Sequence, residues 1–239
     1  VHSLIKSQKC YYEAVKHVLH LAKKYDSRVH IAHVSSKLEI DEIKKFKNEK
    51  ITCEVTPHHL FLNESAYDKW GNFVKIDPPL RNREDQDALW QAIDEGAIDI
   101  IASDHAPHLK EEKSMSYKQA PVGVPGVETM LPLMLEAVND NRIDIVKVAR
   151  LMSENPARIF GIKNKGKIAE GFDADLVIVD MDERRKVRND KLFTKCGWSA
   201  FNGWELSGWP KITIVNGKKV FENGKIIAGD FRGHEVEFD

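Results

Sequence analysis

The feature that most constrains the fold of this chain is a short apolar run that ends abruptly in polar residues. Ile98–Ala102 is rich in β-branched residues, and a run of that length indicates a buried strand. Asp104 and His108 follow within S-D-H-A-P-H, residues 103–108, whose proline prevents the strand from continuing. Because sites in parallel-strand folds lie at the carboxyl ends of strands, the stretch predicts a functional site. The competing interpretation is a turn-capping aspartate beside two surface histidines.

Strands and helices alternate along residues 10–160. Apolar residues at helical spacing predict a helix over Cys10–Tyr25 and another over Glu84–Glu95. Runs rich in β-branched residues predict strands over Arg28–Val34 and Lys50–Val55. This order of elements is typical of a parallel sheet in an α/β fold.

The predicted secondary structure changes after Gly161 from alternating helices and strands to short strands. Short β-patterned runs follow one another, and two Asn-Gly pairs, Asn216-Gly217 and Asn223-Gly224, predict tight hairpins. We therefore expect an α/β domain over residues 1–161 and a small all-β module over residues 162–239.

Composition narrows the classes of partner. A net charge of −1 without a basic block argues against nucleic acid, and no apolar run reaches membrane-spanning length. The three cysteines are far apart and odd in number, which favours a reducing cytoplasm over a disulfide framework. We therefore expect a cytoplasmic protein that acts on a small molecule.

Further candidate residues lie beside the predicted strands. His33 ends the strand over Arg28–Val34, where it is either a ligand or an ordinary core histidine. The adjacent His58 and His59 point in different directions, so at most one of them faces a given pocket. Lys110–Ala120 is polar and aperiodic, so it is either a mobile lid or a long solvated connection.

Several motifs together resemble the amidohydrolase superfamily and, within it, the dihydroorotase family. Their order along the chain is the order found in that family, and S-D-H-A-P-H is the most specific of them. The motifs are H-V-S-S at 33–36, E-V-T-P-H-H-L at 54–60, D-P-P-L-R at 77–81, S-D-H-A-P-H at 103–108, G-V-P-G-V-E-T at 123–129, S-E-N-P-A at 153–157 and G-x-I-x-x-G-x-D-A-D-L-V at 166–177.

The resemblance implies a (β/α)₈ TIM-type barrel with a flanking β-module and a binuclear zinc site. By it, His33 is a metal ligand, and Asp104 is a metal ligand that also acts as general base and then general acid. His108 and the backbone of Gly123 hold the carboxylate or ring of the substrate. Asp77 stands where relatives often carry Asn, and an ionised Asp can only accept hydrogen bonds.

Other ligands of the family have no counterpart here. The H-x-H pair, the bridging Lys or Asp and the fifth-strand His are all missing from the sequence, so the chain resembles the C-terminal portion of a dihydroorotase. We expect the chain alone to be inactive and to bind zinc weakly, because a catalytic zinc needs about three protein ligands. The partners expected are the substrate, further copies of the chain, and either the N-terminal half or another enzyme of pyrimidine biosynthesis.

The activity that the resemblance implies is the reversible, zinc-dependent hydrolysis of dihydroorotate to N-carbamoyl-aspartate in pyrimidine biosynthesis. One alternative is another cyclic-amide hydrolase, of the hydantoinase or allantoinase type, whose substrate need not carry a carboxylate. A second alternative is a non-catalytic structural relative, against which the intact Asp104 and His33 argue.

Overall fold

The computed structural model describes residues 2–239 and divides into two compact units. The first comprises the chain through Met130 together with Arg188–Asn202, and the second comprises Leu131–Val187 and Gly203–Asp239. The boundary expected between residues 161 and 162 stays a prediction. Among the residues described, every helix is too short or too polar to span a bilayer.

Ten α-helices and seven strands lie within residues 2–239, together with 3₁₀ helices at Gly71–Val74 and Asn189–Lys191 and a π-helix at Arg150–Glu154. The helices are α1 His2–Ile5, α2 Gln8–Tyr25, α3 Lys37–Phe46, α4 Pro57–Phe61, α5 Ala66–Trp70, α6 Arg83–Asp94, α7 Lys110–Lys113, α8 Val127–Asn139, α9 Ile145–Ala149 and α10 Asn155–Ile159. The strands are β1 Val29–Ile31, β2 Ile51–Val55, β3 Ile100–Ile101, β4 Leu176–Lys186, β5 Glu205–Val215, β6 Lys218–Glu222 and β7 Lys225–Ile226.

The first unit contains a parallel sheet in the order β1-β2-β3. Val29 pairs with Ile51, and Glu54 pairs with Ile100, so the three strands end at the same edge of the sheet. The sheet is lined by buried apolar residues, as the β-branched runs predict. Helix α3 packs against α2 and α6 through an apolar stripe that includes Ile40. The alternating helices and strands expected from the sequence are confirmed.

The second unit contains an antiparallel sheet in the order β4-β5-β6-β7. Both Asn-Gly pairs form its tight turns, with φ of 46° at Asn216 and 77° at Gly217, and 47° at Asn223 and 80° at Gly224. Positive φ at both central residues is the geometry of the type I′ turn, whose twist matches that of the flanking strands. The two predicted hairpins are confirmed.

Gly208 on β5 lies where its backbone meets helix α8. Its φ is +96°, and a Cβ built on it would lie 2.5 Å from Cβ of Leu135. The Gly208→Ala variant should lower the free energy of unfolding by about 3 kcal/mol, because a left-handed backbone and overpacking both penalise the methyl group. Gly203→Ala is the matched control: its φ is +90° with nothing within 4 Å, and it should cost about 1 kcal/mol. If urea denaturation showed the same loss of unfolding free energy for both variants, the packing argument would be contradicted.

Candidate active site

Two residues just beyond the parallel strands adopt left-handed backbone conformations. His33 follows β1 with a φ of 37°, and Asp104 follows β3 with a φ of 42°. Such conformations cost about 1–3 kcal/mol for residues with a side chain and persist where surrounding structure enforces them, often at functional sites. Five other non-glycine residues in the described part of the chain also have positive φ, but His33 and Asp104 are the two that follow strands of the parallel sheet.

The turn after His33 is fixed by a buried glutamate. Glu39 accepts hydrogen bonds from the hydroxyl groups of Ser35 (2.9 Å) and Ser36 (2.6 Å), and Ser36 in turn caps helix α3 through the backbone N–H of Glu39. This S-x-x-E arrangement is a variant of the capping box in which the glutamate binds the serine side chains. It sets the direction in which the chain leaves β1, and with it the position of His33.

Two buried histidine nitrogens lack hydrogen-bond partners among residues 2–239. They are Nδ1 of His33 and Nε2 of His58. The His58 nitrogen lies 3.7 Å from Oδ2 of Asp104, too far for a good hydrogen bond. A buried polar atom without a partner is costly, so unpaired nitrogens beside a carboxylate fit a site that binds a polar or metallic ligand.

His58 is a site residue that the sequence did not single out, although its place directly after β2 was an available sign. Burial, followed by the neighbouring His59 and His33, lowers the pKa of His58 well below its usual value. Its imidazole is therefore neutral, and its approach to Asp104 is a contact between a neutral ring and a carboxyl group rather than an ion pair.

His59 points away from Asp104, as expected for adjacent histidines. Its Nε2 donates to the carbonyl of Pro78 (3.1 Å), and its Nδ1 accepts from the hydroxyl of Thr56 (2.8 Å). Burial lowers the pKa of His59 to about 3. The ring therefore acts as a neutral bridge to the D-P-P-L-R turn.

Asp104 has the electrostatic character of a proton acceptor. Burial raises the pKa of its carboxyl group, His33 works in the opposite direction, and Glu54 adds to the rise. A carboxyl group with a raised pKa is better matched to accepting and returning a proton near neutral pH than an exposed one.

The S-D-H-A-P-H motif is interlocked with the glycine-rich segment. His105 is structural: its Nδ1 accepts hydrogen bonds from the backbone N–H groups of Gly126 (3.1 Å) and Val127 (3.3 Å) at the start of α8. The N–H of Ala106 donates to the carbonyl of Val124 (3.0 Å). For His105 the interpretation as a surface histidine therefore applies, and its ring also accepts hydrogen bonds at the start of α8.

His108 and Gly123 lie beside each other in this interlocked region. His108 Nε2 donates to the carbonyl of Val122 (3.0 Å). The N–H of Gly123 donates to the carbonyl of Lys75 (2.9 Å), so it is already paired within the protein. Gly123 has a φ of +124°, and a Cβ on it would lie 2.6 Å from Cβ of Ala106. The need for glycine here comes from close packing, and its role in substrate binding stays a prediction.

Asp77 is bound by Tyr11 of α2 and by Lys6, which lies between α1 and α2. Its carboxylate accepts hydrogen bonds from the hydroxyl of Tyr11 and from the ammonium of Lys6 (3.0 Å). Partial burial raises the pKa of Asp77, but the hydrogen bonds from Tyr11 and Lys6 outweigh it and the net pKa is lowered. The side chain is an ionised acceptor that already has two donors.

The structure does not assemble a complete metal site from this chain alone. Among residues 2–239, no group of three or more His, Cys, Asp or Glu side chains is arranged to hold a metal ion. His33 and Asp104 supply two potential ligands, and their assignment as metal ligands stays a prediction.

Comparisons with known proteins point to the same family as the sequence motifs. The profile of the Amidohydrolase family matches residues 5–220. The chain is 39% identical over 226 residues to the dihydroorotase of Methanothermobacter thermautotrophicus, covering 95% of the chain and 52% of that relative. It is 42% identical over 223 residues to the dihydroorotase of Pyrococcus furiosus, covering 93% of the chain and 52% of the relative. The chain thus spans about half the length of these curated relatives.

Solved structures agree on the fold. An L-hydantoinase (dihydropyrimidinase) from Arthrobacter aurescens superposes with a TM-score of 0.86 at 33% identity, over 90% of this chain and 49% of that one. A D-hydantoinase superposes with a TM-score of 0.89 at 27% identity, over 95% of this chain and 52% of that one. The predicted fold class, an α/β barrel of the amidohydrolase type with a small antiparallel module, is confirmed.

The neutral His59 makes the fold sensitive to acid. In the unfolded chain its pKa returns to about 6.5, so between about pH 6.5 and pH 3 the unfolded state binds a proton that the folded state does not. The free energy of unfolding should therefore fall as the pH falls through this window, by up to about 1.4 kcal/mol per pH unit. We expect His59→Gln to reduce that slope in urea denaturation with chelator present, and exposed His234→Gln to leave it unchanged. Identical slopes for all three proteins would contradict the argument.

Proposed function

This chain belongs to the amidohydrolase family, and from that premise we propose that it contributes to a dihydroorotase. The reaction is the reversible opening of the dihydroorotate ring by water to give N-carbamoyl-aspartate. The observation that carries the proposal is the pair of strained strand-end residues, His33 and Asp104, beside unpaired buried histidine nitrogens. Identities of about 40% to curated dihydroorotases support this choice of reaction.

The family implies a divalent metal ion, and we propose that the ion is zinc, with two ions in the complete enzyme. His33 and Asp104 would hold it, because imidazole and carboxylate are both good zinc ligands and Nδ1 of His33 is buried without a partner. When bound, zinc polarises a carbonyl group and lowers the pKa of water. Nε2 of His58, also buried without a partner and 3.7 Å from Asp104, is the remaining candidate on this chain, and further ligands would come from the rest of the barrel.

The proton transfers are assigned to Asp104. Ring opening requires that the attacking water lose a proton and that the leaving ring nitrogen gain one. A carboxyl group whose pKa is raised by burial can accept the first proton and deliver it to the nitrogen. The neutral His58, 3.7 Å away, lies on one side of this carboxyl group and leaves its charge uncompensated.

We propose that His108, Asp77 and Gly123 form the substrate end of the pocket. The imidazole of His108 would bind the carboxylate of dihydroorotate through a hydrogen bond from a ring N–H. Asp77 is an acceptor and would face an N–H of the ring rather than a ring carbonyl. Gly123 has its N–H paired with Lys75, so in this proposal it shapes the wall beside His108 and offers the free lone pair of its carbonyl.

The second candidate is hydrolysis of a cyclic amide without a carboxylate, as the names of the structural neighbours suggest. The chemistry at the ring would be unchanged, so the discriminating region is the one that contains His108. Turnover of dihydroorotate compared with that of unsubstituted hydantoin by the natively expressed protein tests the choice. Preference for hydantoin would overturn the dihydroorotase proposal.

The sheet of the first unit also suggests a partner. Its outer strands, β1 and β3, are edge strands in the order β1-β2-β3. A strand edge carries unpaired backbone groups that favour association. We propose that further barrel strands pair there, from the same polypeptide or from a second chain, and that the enzyme is a homo-oligomer.

Replacing the proposed acid–base residue should stop the chemistry and spare the fold. In the complete enzyme, Asp104→Asn keeps the shape of the side chain but cannot carry the proton, so kcat should fall by about 10²–10⁴-fold while the circular dichroism spectrum stays the same. Asp87→Asn, at an exposed position on α6, is the control and should leave kcat unchanged. Near-normal turnover by Asp104→Asn would refute the assignment.

Zinc affinity tests the ligand assignment without an activity assay. We expect weak zinc binding by this chain in isothermal titration, because two ligands are fewer than the three or so of a catalytic site. His33→Ala and Asp104→Asn should each weaken it further by about tenfold or more. The exposed His234→Ala should have no effect. Tight binding of two ions that neither variant changes would show that the ligands lie elsewhere.

A further inference from the structure

Lys113, at the end of α7, is a fully buried lysine. Its ammonium donates hydrogen bonds to three backbone carbonyls, those of Lys75 (3.1 Å), Pro121 (2.9 Å) and Gly123 (2.8 Å). An ammonium group has three N–H donors, so all of them are used. The acceptors come from two separate stretches of chain, which Lys113 therefore ties together.

A second buried lysine completes the arrangement. The ammonium of Lys75 donates to the carbonyls of Tyr117 (2.7 Å) and Ala120 (2.6 Å) and lies 4.5 Å from the centroid of the Tyr117 ring. The segment expected from its composition to be a lid, Lys110–Ala120, is thus anchored from inside by two cations. We call Lys75, Lys113 and their carbonyl acceptors the lysine clasp.

The clasp lies directly behind the proposed substrate end of the pocket. Gly123 donates to the carbonyl of Lys75 and accepts from Lys113, so both of its backbone groups belong to the clasp. The neighbouring carbonyl of Val122 accepts the hydrogen bond from His108, whose own carbonyl accepts from the indole of Trp198 (2.7 Å). The imidazole of His108 is therefore positioned by a loop that Lys113 holds.

Burying two ammonium groups costs desolvation free energy, which an apolar contact would not cost. The hydrogen-bond partners of both groups are carbonyls, and no carboxylate lies among those partners in the described part of the chain. Burial, with the charge of Lys75 adding to it, lowers the pKa of Lys113 to about 8. Packing alone would be served by an apolar side chain, so the retained charge indicates a need for three donors that converge on one point.

We propose that Lys113 is a positioning residue that fixes Pro121–Gly123 and, through that loop, the substrate-binding imidazole of His108. The effect on substrate rests on the proposed dihydroorotase function, whereas the effect on the loop does not.

The loop is tested first, in the chain without metal or substrate. Lys113→Met keeps an unbranched side chain one atom shorter and removes its donors. Lys110→Met, at an exposed position on the same helix, is the matched control. Hydrogen exchange followed by NMR should show protection lost by about tenfold or more at the amides of Gly123 and Ala106, because the carbonyls of Lys75, Pro121 and Gly123 lose their donor. Amides of α6 should keep their protection.

Unchanged exchange at Gly123, or an equal loss in α6, would overturn the proposal, because Lys113 would then be redundant or a general core residue. If Lys113→Met does not fold, Lys113→Gln carries the test. Its amide offers two donors on a shorter stem, so protection at Gly123 should be intermediate, and full protection would overturn the proposal.

The substrate is tested second, in the metal-loaded complete enzyme that contains this chain together with the missing part of the barrel. Lys113→Met should raise the KM for dihydroorotate by about tenfold while kcat changes little, because ground-state positioning is lost and the proton acceptor Asp104 is untouched. A tenfold fall in kcat with an unchanged KM would overturn the link to His108. Absence of dihydroorotate turnover in the parent protein would refute the proposed function and leave the exchange result to decide on the clasp.

Discussion

Glu54, on the central strand of the parallel sheet, joins the parts of the candidate site. Its backbone carbonyl accepts from the N–H of Val34 (2.9 Å), and its carboxylate accepts from the N–H of His33 (3.4 Å) and from Nε2 of His30 (3.1 Å). These contacts hold the left-handed turn after β1. The same negative charge contributes to the raised pKa of Asp104. One central carboxylate thus stabilises the strained backbone at one proposed ligand and tunes the acidity of the other.

The interior beside Glu54 is polar but poor in positive charge. His58 and His59 are buried and neutral, and burial is the largest cause of both lowered pKa values. Asp104 therefore has no cationic side chain in hydrogen-bond contact within residues 2–239. A carboxyl group in such a setting is suited to a ligand that brings its own positive charge. This electrostatic deficit is the physical reason for proposing a cation at His33 and Asp104, independent of any sequence motif.

Local sequence patterns predict the helices, the strands and the strand ends, because β-branched runs, helical spacing and Asn-Gly pairs determine structure over a few residues. His33 and Asp104 were found in this way. The sequence could not reveal that His105 caps α8 or that Lys113 is buried among carbonyls, since these contacts join segments about 10 to 40 residues apart. The polar composition of Lys110–Ala120 favours a solvated loop. In the structure, however, the side chain of Lys113 in this segment is fully buried.

The substitution of Asp for Asn at position 77 illustrates how the site adjusts to its own sequence. An unpaired carboxylate facing an anionic substrate would repel it, but Lys6 and Tyr11 donate to Asp77 and offset its charge. The ammonium of Lys113 binds the carbonyl of Gly123, and His108 binds the carbonyl of the neighbouring Val122. The barrel that this chain shares with hydantoinases therefore does not decide the substrate. The charges of the loops around the site distinguish an anionic ring from a neutral one, and beside His108 they include the carboxylate of Glu112, 3.8 Å from Nδ1.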